Sequence, residues 1–196
     1  MILPIVAYGD AVLRKVAHDI AVDYPALESL IENMWETMYH AHGVGLAAPQ
    51  VGLPIRLFVI DATAFADDDA LTKAEIDVLT DFKQVFINAK IIEETGEEWS
   101  FNEGCLSIPD VREDVLRKPD ITISYVDENF KAYTKSFDGL LARVIQHEYD
   151  HIEGILFTDK LSSLKKRILK GRLSDISKGK INADYRMRFP EMKKGR

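Results

Sequence analysis

His147, Glu148 and His151 sit in the stretch Gln146-His147-Glu148-Tyr149-Asp150-His151, directly after the run Leu140-Leu141-Ala142-Arg143-Val144-Ile145. A helix that is apolar on nearly every side has to be buried, so the remainder of the chain must wrap it. At 3.6 residues per turn the two histidines lie one turn apart on one face, where both ring nitrogens reach a single divalent ion. Glu148 falls beside them, clear of the ion but close enough to take a proton from water that the ion activates. Burial suits such a site, because packing on several sides limits reorganisation as charge develops. Asp138 is placed to cap the helix and Gly154 to end it.

Two imidazoles leave zinc or iron one protein ligand short if a position is to stay open. The sequence has one cysteine, Cys105, in Glu103-Gly104-Cys105-Leu106-Ser107. A single thiol forms no internal disulfide, and on its own it reads as a small buried hydrophobe. Beside a histidine pair it completes a Cys/His/His set.

A helix is expected from about Pro25 to Ala41, where Leu27, Leu30, Ile31, Met34, Trp35, Met38 and Tyr39 make one stripe, with Pro25 in the first turn and Gly43 at the stop. His18, His40 and His42 have no partner pattern and read as structural or exposed. The following Gly43-Val44-Gly45-Leu46-Ala47-Ala48-Pro49-Gln50 is either a tight connection or an edge that accepts an extended peptide through main-chain hydrogen bonds. In the second case Gln50, held after proline, offers its amide to a developing oxyanion. Earlier, Asp10 caps a short helix between Gly9 and Ala17.

Ile55 to Ile60 reads as a strand. From Asp61 to Asp81 there are seven acidic residues against one basic, which suggests an exposed insertion with a helical turn or two at Lys73 to Leu79. Its Asp67-Asp68-Asp69 triplet lacks the spacing of a calcium loop. Further strands are expected at Val85 to Ile92, Trp99 to Phe101 and Val111 to Leu116. Ile121 to Val126 and Phe130 to Phe137 form a hairpin across Asp127-Glu128-Asn129. Leu161 to Ser177 is a basic amphipathic helix, and Lys178 to Arg196 a loose tail.

At 196 residues the chain is one domain of ordinary size. The opening residues lack a basic leader and break at Pro4, which argues against a signal peptide or a membrane span; with one cysteine, this places the protein in the cytoplasm. The net charge of -7 hides an asymmetry, since residues 160–196 hold thirteen Lys or Arg against three Asp or Glu. A basic appendage on an acidic body suits an anionic partner such as RNA, and equally a solvated helix.

The three segments Gly43 to Gln50, Glu103 to Ser107 and Gln146 to His151, with Gly9-Asp10 and Leu13-Arg14 before them, resemble peptide deformylase over residues 1 to 158. The resemblance implies an α+β fold of antiparallel sheets packed around a central HExxH helix, followed by a C-terminal helix. It implies a catalytic metal-binding body at residues 1–160, with 161–196 as helix and tail of the same domain. Cys105, His147 and His151 would bind Fe(II), which zinc, nickel or cobalt can replace. The implied reaction removes the formyl group from the N-terminal formylmethionine of new polypeptides, with Glu148 as the base and Gln50 and the Leu106 N–H as oxyanion donors. Gly45 would pair with the substrate backbone, and Val44, Phe101, Leu140, Val144 and the His147 ring would wall the methionine pocket. Arg112 falls near the pocket mouth, Glu103 supports the site, and Arg143 stands where some members carry an aliphatic residue. Family members dock on the ribosome near the peptide exit through their C-terminal helix.

Two other readings share parts of this pattern. A metalloprotease has the same helix motif but normally takes its third ligand downstream, whereas the candidate here is upstream. An RNA-binding module with a structural zinc needs four protein ligands, and the sequence offers three.

Overall fold

The structure is a computed structural model that describes residues 1–67 and 71–190. The chain opens with strand β1 (Ile5–Val6) and a 3₁₀ turn at Ala11–Arg14, which Asp10 caps by accepting a 2.9 Å hydrogen bond from the Val12 amide. Helix α1 (Leu27–His40) starts later than Pro25 suggests, because Ala26 is left-handed at φ 54° and a right-handed helix cannot propagate through that conformation. Strands β2 (Gly45–Ala47) and β3 (Leu57–Asp61) follow, then a short helix α2 (Lys73–Leu79).

The β-rich middle comprises β4 (Lys83–Thr95), β5 (Trp99–Cys105), β6 (Ile108–Arg117), β7 (Asp120–Val126) and β8 (Ala132–Phe137). Helix α3 (Gly139–Ile152) carries the two histidines, α4 (Ser163–Ser177) the basic residues, and β9 (Met187–Arg188) closes the described chain.

Five strands form one antiparallel sheet in the order β2-β3-β4-β7-β8. Its period-two alternation sends side chains to two different cores. Phe58, Ile60 and Phe86 face Leu141, Ala142, Val144 and Ile145 of α3, whereas Leu57, Val59, Val85 and Ile87 face Ile31, Met34 and Met38 of α1. Phe86 anchors the first of these, stacked on Phe58 at 4.7 Å and tilted against Tyr125 at 4.4 Å. Strands β5 and β6 make a separate antiparallel pair whose apolar face meets Phe157, Leu161, Leu173 and Ile176.

Several expectations change here. Asp138 stands at the N-terminal cap of α3, yet its side chain makes no capping bond; only its carbonyl joins the helix, through the Ala142 amide. Gly154 does end α3. It has φ +72°, and a Cβ there would lie 2.8 Å from the backbone of Arg14, so both the conformation and the close approach require glycine. The acidic segment is not simply an exposed insertion, since Leu79 is buried and Phe65 and Leu71 pack on the α3 core. Asp68 and Asp69 lie outside the described residues.

The tail differs most. Residues 178–190 do not hang loose, because β9 pairs in parallel with β1, and the Ile5 and Ala7 amides donate to the Arg186 and Arg188 carbonyls at 2.9 Å. The apolar side chains of Ile181, Met187 and Phe189, at alternating or near-alternating positions, supply the reason, for they pack on the core beneath α4. Residues 191–196 are outside the described range.

Candidate active site

Helix α3 presents His147 and His151 on one face, with ring centroids 5.2 Å apart, and the end of β5 brings in Cys105. The Cys105 Sγ lies 3.3 Å from His151 Nε2, and the ligand atoms of Cys105, His147 and His151 all fall within 4.8 Å of one another. A thiolate and two imidazoles at that spacing suit a borderline or soft divalent metal. The donor set also fits in its open side. Among the described residues it holds three members, one short of a closed structural site.

Glu148 is buried beside the donors, and its Oε2 has no hydrogen-bond partner among the described residues. Burial pushes its carboxyl up to about 7, the range in which a group both takes and returns a proton near neutrality. Gly45 makes room for it. A Cβ on Gly45 would lie 2.7 Å from the Glu148 Cδ and closer still to its Oε1, so the chain approaches the carboxylate only as glycine. Gly45 sits on an edge strand and lines the cavity.

Behind the donors lies a buried ion cluster. The Glu103 carboxylate accepts from Arg117 Nε at 2.7 Å and Nη2 at 2.9 Å, from Arg143 Nη1 at 3.1 Å, and pairs with His147 Nδ1 at 2.8 Å. Arg117 also donates to Asp150 at 2.6 Å. Burial alone would raise the Glu103 carboxyl, but the bonds from Arg117 and His147 overcome it and hold the group well below the usual carboxylate range. For His147 burial acts downward, and contacts with Cys105 and Glu103 raise it to about 10. Burial and the neighbouring His147 charge drive His151 well below its ordinary value.

A cavity of ≈ 480 Å³ opens in front of the donors. Val44, Gly45, Gln50, Phe101, Glu103, Cys105, Leu106, Arg112, Val144, His147 and Glu148 all line it, so nearly every residue singled out in the sequence converges there. Leu140 and His151 do not: Leu140 packs against the core cluster of α3 and the large sheet, and His151 is buried. Gln50 is buried, its Oε1 accepting from the Ala47 amide at 2.8 Å, and its Nε2 reaches Cys105 Sγ at 3.5 Å and Ser107 Oγ at 3.4 Å. Arg112 is exposed at the rim, bonded to Asn102 Oδ1 at 2.9 Å. Arg143, 1 % exposed, lies over the Trp99 ring at 4.5 Å and donates to the Trp99 carbonyl at 2.7 Å.

Sequence reasoning missed other contributors. Arg117 and Asp150 carry no motif, although a lone Asp on a buried helix signals a partner elsewhere. His42, read as structural or exposed, is exposed and lines the cavity, as does Phe65 from the acidic segment. Asn182, Ala183, Asp184 and Tyr185 also line it, and the Tyr185 hydroxyl donates to the Leu106 carbonyl at 2.8 Å.

Three metal-ligating side chains around one point, a buried carboxylate beside them and an accessible cleft in front define a hydrolytic metalloenzyme. Comparison with known proteins narrows the class. Residues 2–167 match the family described as Polypeptide deformylase. The peptide deformylase of Christiangramia forsetii is 70% identical over 196 residues, 100% of both chains, and that of Flavobacterium johnsoniae 66% identical over the same length. Among solved structures, the peptide deformylase from Thermus thermophilus superposes with a TM-score of 0.78 at 37% identity, covering 91% of this chain and 99% of that one. The one from Legionella pneumophila gives 0.75 at 36% identity, covering 92% and 98%. The chain belongs to the peptide deformylase family, metal-dependent hydrolases that remove the formyl group from N-terminal formylmethionine.

The ion cluster and the glycine contact each give a measurable outcome. Glu103→Ala leaves Arg117 and Arg143 buried without their carboxylate and should cost about 3–5 kcal/mol of unfolding free energy; a loss near zero in urea denaturation would contradict a structural role for the cluster. Gly45→Ala drives a methyl group into Glu148, and a carboxylate displaced by about 1 Å should lower kcat/KM on a formyl-peptide about a hundredfold.

Proposed function

We propose that this chain deformylates N-formylmethionyl peptides with Cys105, His147 and His151 as metal ligands and Glu148 as the proton carrier. The observation that carries the reading is the gathering of those three donor atoms within 4.8 Å, directly beside a buried carboxylate with an unpartnered oxygen. A divalent ion held there supplies positive charge and lowers the pKa of a bound water. Iron(II) is the ion the family resemblance favours, and zinc, nickel or cobalt suit the same ligand set. The reading includes the arrangement of the fold, with α3 as a fixed mount between the large sheet and the β5–β6 pair.

Glu148 accepts a proton as water adds to the formyl carbon, and returns it to the nitrogen as the C–N bond breaks. The products are formate and a free amine. Its pKa near 7 lets it serve in both directions. Gln50 Nε2 and the Leu106 N–H are placed in the cavity wall to receive the charge on the carbonyl oxygen, and one such donor is worth ~3 kcal/mol in the transition state.

Strand β2 lies at the edge of its sheet, so Gly45 has a free side for the substrate main chain. Val44, Phe101, Val144 and the His147 ring enclose the methionine side chain, with Leu140 backing them from the core. Arg112 meets the peptide at the rim. Glu103 touches His147 rather than substrate, and fixes which imidazole nitrogen faces the metal.

We read residues 1–160 as the catalytic body and 161–196 as a helix and arm of the same domain, working in the cytoplasm. No helix among the described residues is long and apolar enough to cross a membrane. The basic face of α4, where Arg167 and Lys170 are exposed, is proposed to meet the ribosome near the peptide exit.

Glu148→Ala should keep its metal while deformylation of a formyl-methionyl peptide falls about 10²–10⁴-fold, and Cys105→Ser should lose or weaken metal binding. Elemental analysis beside turnover separates the two; near-normal turnover in the first, or unchanged affinity in the second, would refute the assigned roles. Reversing the charge of Arg167 and Lys170 should reduce ribosome co-sedimentation at low salt while short-peptide activity stays at the wild-type level. Equal co-sedimentation would remove the docking idea. Removing everything after Ser162 is a poorer test, because Asn182 to Tyr185 line the cavity.

A further inference from the structure

Leu106 and Ser107 are the two loop residues between the paired Cys105 and Ile108, at the hairpin joining β5 to β6. Two-residue hairpin loops normally take positive φ at one or both positions, which is why glycine or asparagine fills them. Neither Leu106 nor Ser107 has positive φ, and leucine is not a turn-forming type. The local sequence therefore favours this turn only weakly, and contacts from outside help to set the direction of the Leu106 N–H.

The constraints come from both ends of the chain. The Tyr8 amide, just after β1, donates to the Ser107 carbonyl at 2.8 Å. The Tyr185 hydroxyl, just before β9, donates to the adjoining Leu106 carbonyl at 2.8 Å. The pairing of β1 with β9 locks these two donors to each other. Gln50 Nε2 touches the Ser107 hydroxyl at 3.4 Å from a third direction. Two consecutive carbonyls of the turn are thereby fixed; the Leu106 N–H lies on the preceding Cys105–Leu106 peptide, so the restraint reaches it through the φ and ψ of Leu106.

We propose that Tyr185 is a positioning residue for deformylation: its hydroxyl, held by the β9–β1 clip, orients the Leu106 turn so that its N–H faces the substrate oxygen. This rests on the reading of Leu106 and Gln50 as oxyanion donors. The segment that delivers Tyr185 also lines the cavity with Asn182, Ala183 and Asp184, so the arm is a working wall of the site. The Tyr185 hydroxyl bonds to the Leu106 carbonyl and not to a donor of the metal site; it acts through the backbone of Leu106.

The test compares Tyr185→Phe, which keeps the ring and removes only the hydroxyl, with Gln50→Ala, each as metal-loaded enzyme acting on a formyl-methionyl tripeptide. Tyr185→Phe is expected to lower kcat about five- to tenfold with KM within about twofold, the size set by loss of one neutral hydrogen bond. Metal content and the thermal midpoint should stay at wild-type values. Hydrogen exchange in the peptide spanning residues 104–108 should quicken, a readout independent of turnover. A wild-type kcat in Tyr185→Phe while Gln50→Ala is slow overturns the role of Tyr185 alone. A slow Tyr185→Phe that has also lost metal or thermal stability overturns it too, as general structural damage. A wild-type kcat in Gln50→Ala overturns the oxyanion reading, and the positioning role with it.

Discussion

The carboxylate of Glu103 is the joint on which the site depends. On the large-sheet side, α3 is gripped by ordinary apolar packing. On the β5–β6 side, the grip is polar, through Glu103 with Arg117, Arg143 and His147, and through Arg117 with Asp150. The two carboxylates each meet more than one cationic partner, and their many bonds offset much of the desolvation that burial demands. Directional bonds do what apolar contact does not: they fix rotation and register between strand and helix. Cys105 lies two residues beyond Glu103 on the same strand, and His147 and His151 lie on the helix that Arg143 and Asp150 tie down. The spacing among the metal donors is therefore set by the cluster behind them.

The same cluster divides two roles that the two histidines could otherwise share. His147 is pinned through Nδ1 to Glu103, which leaves Nε2 as the nitrogen that could face a metal. Among the described residues His151 Nδ1 has no hydrogen-bond partner, and burial beside a charged neighbour favours its neutral form, the form that ligates. Glu148, one residue along the helix, makes no hydrogen bond to the arginines and packs directly against Gly45. Its raised pKa follows from burial, which the pull of His147 and Arg117 only partly offsets. Two carboxylates within one small region thus shift in opposite directions through environment alone, Glu103 down through its paired partners and Glu148 up through burial.

Much of this was legible in local patterns. The spacing of His147, Glu148 and His151 gave one helix face, alternation at Ile121 to Val126 gave a strand, and the apolar stripe from Leu27 to Tyr39 gave α1. Cys105 was found by counting ligands, since a single thiol near an incomplete donor set has few other uses. What stayed hidden depends on contacts distant in sequence. Arg117 and Asp150 are 33 positions apart, and although Asp150 sits on a helix expected to be buried, nothing local names Arg117 as its partner. The stretch 178–190 reads as loose because its apolar residues are sparse, although Ile181, Met187 and Phe189 suffice once β1 offers an edge to pair with. Leu140 entered the expected pocket through the family resemblance alone, and in the structure it packs against the cluster formed by α3 and the large sheet.

The parallel pairing of β1 and β9 has a consequence for the order in which the enzyme comes into being. Synthesis runs from β1 toward β9, with every candidate metal donor between them in the chain. The β1–β9 pairing therefore forms only after the helix-and-sheet body has been made, and the proposed brace on the Leu106 turn is a late contact.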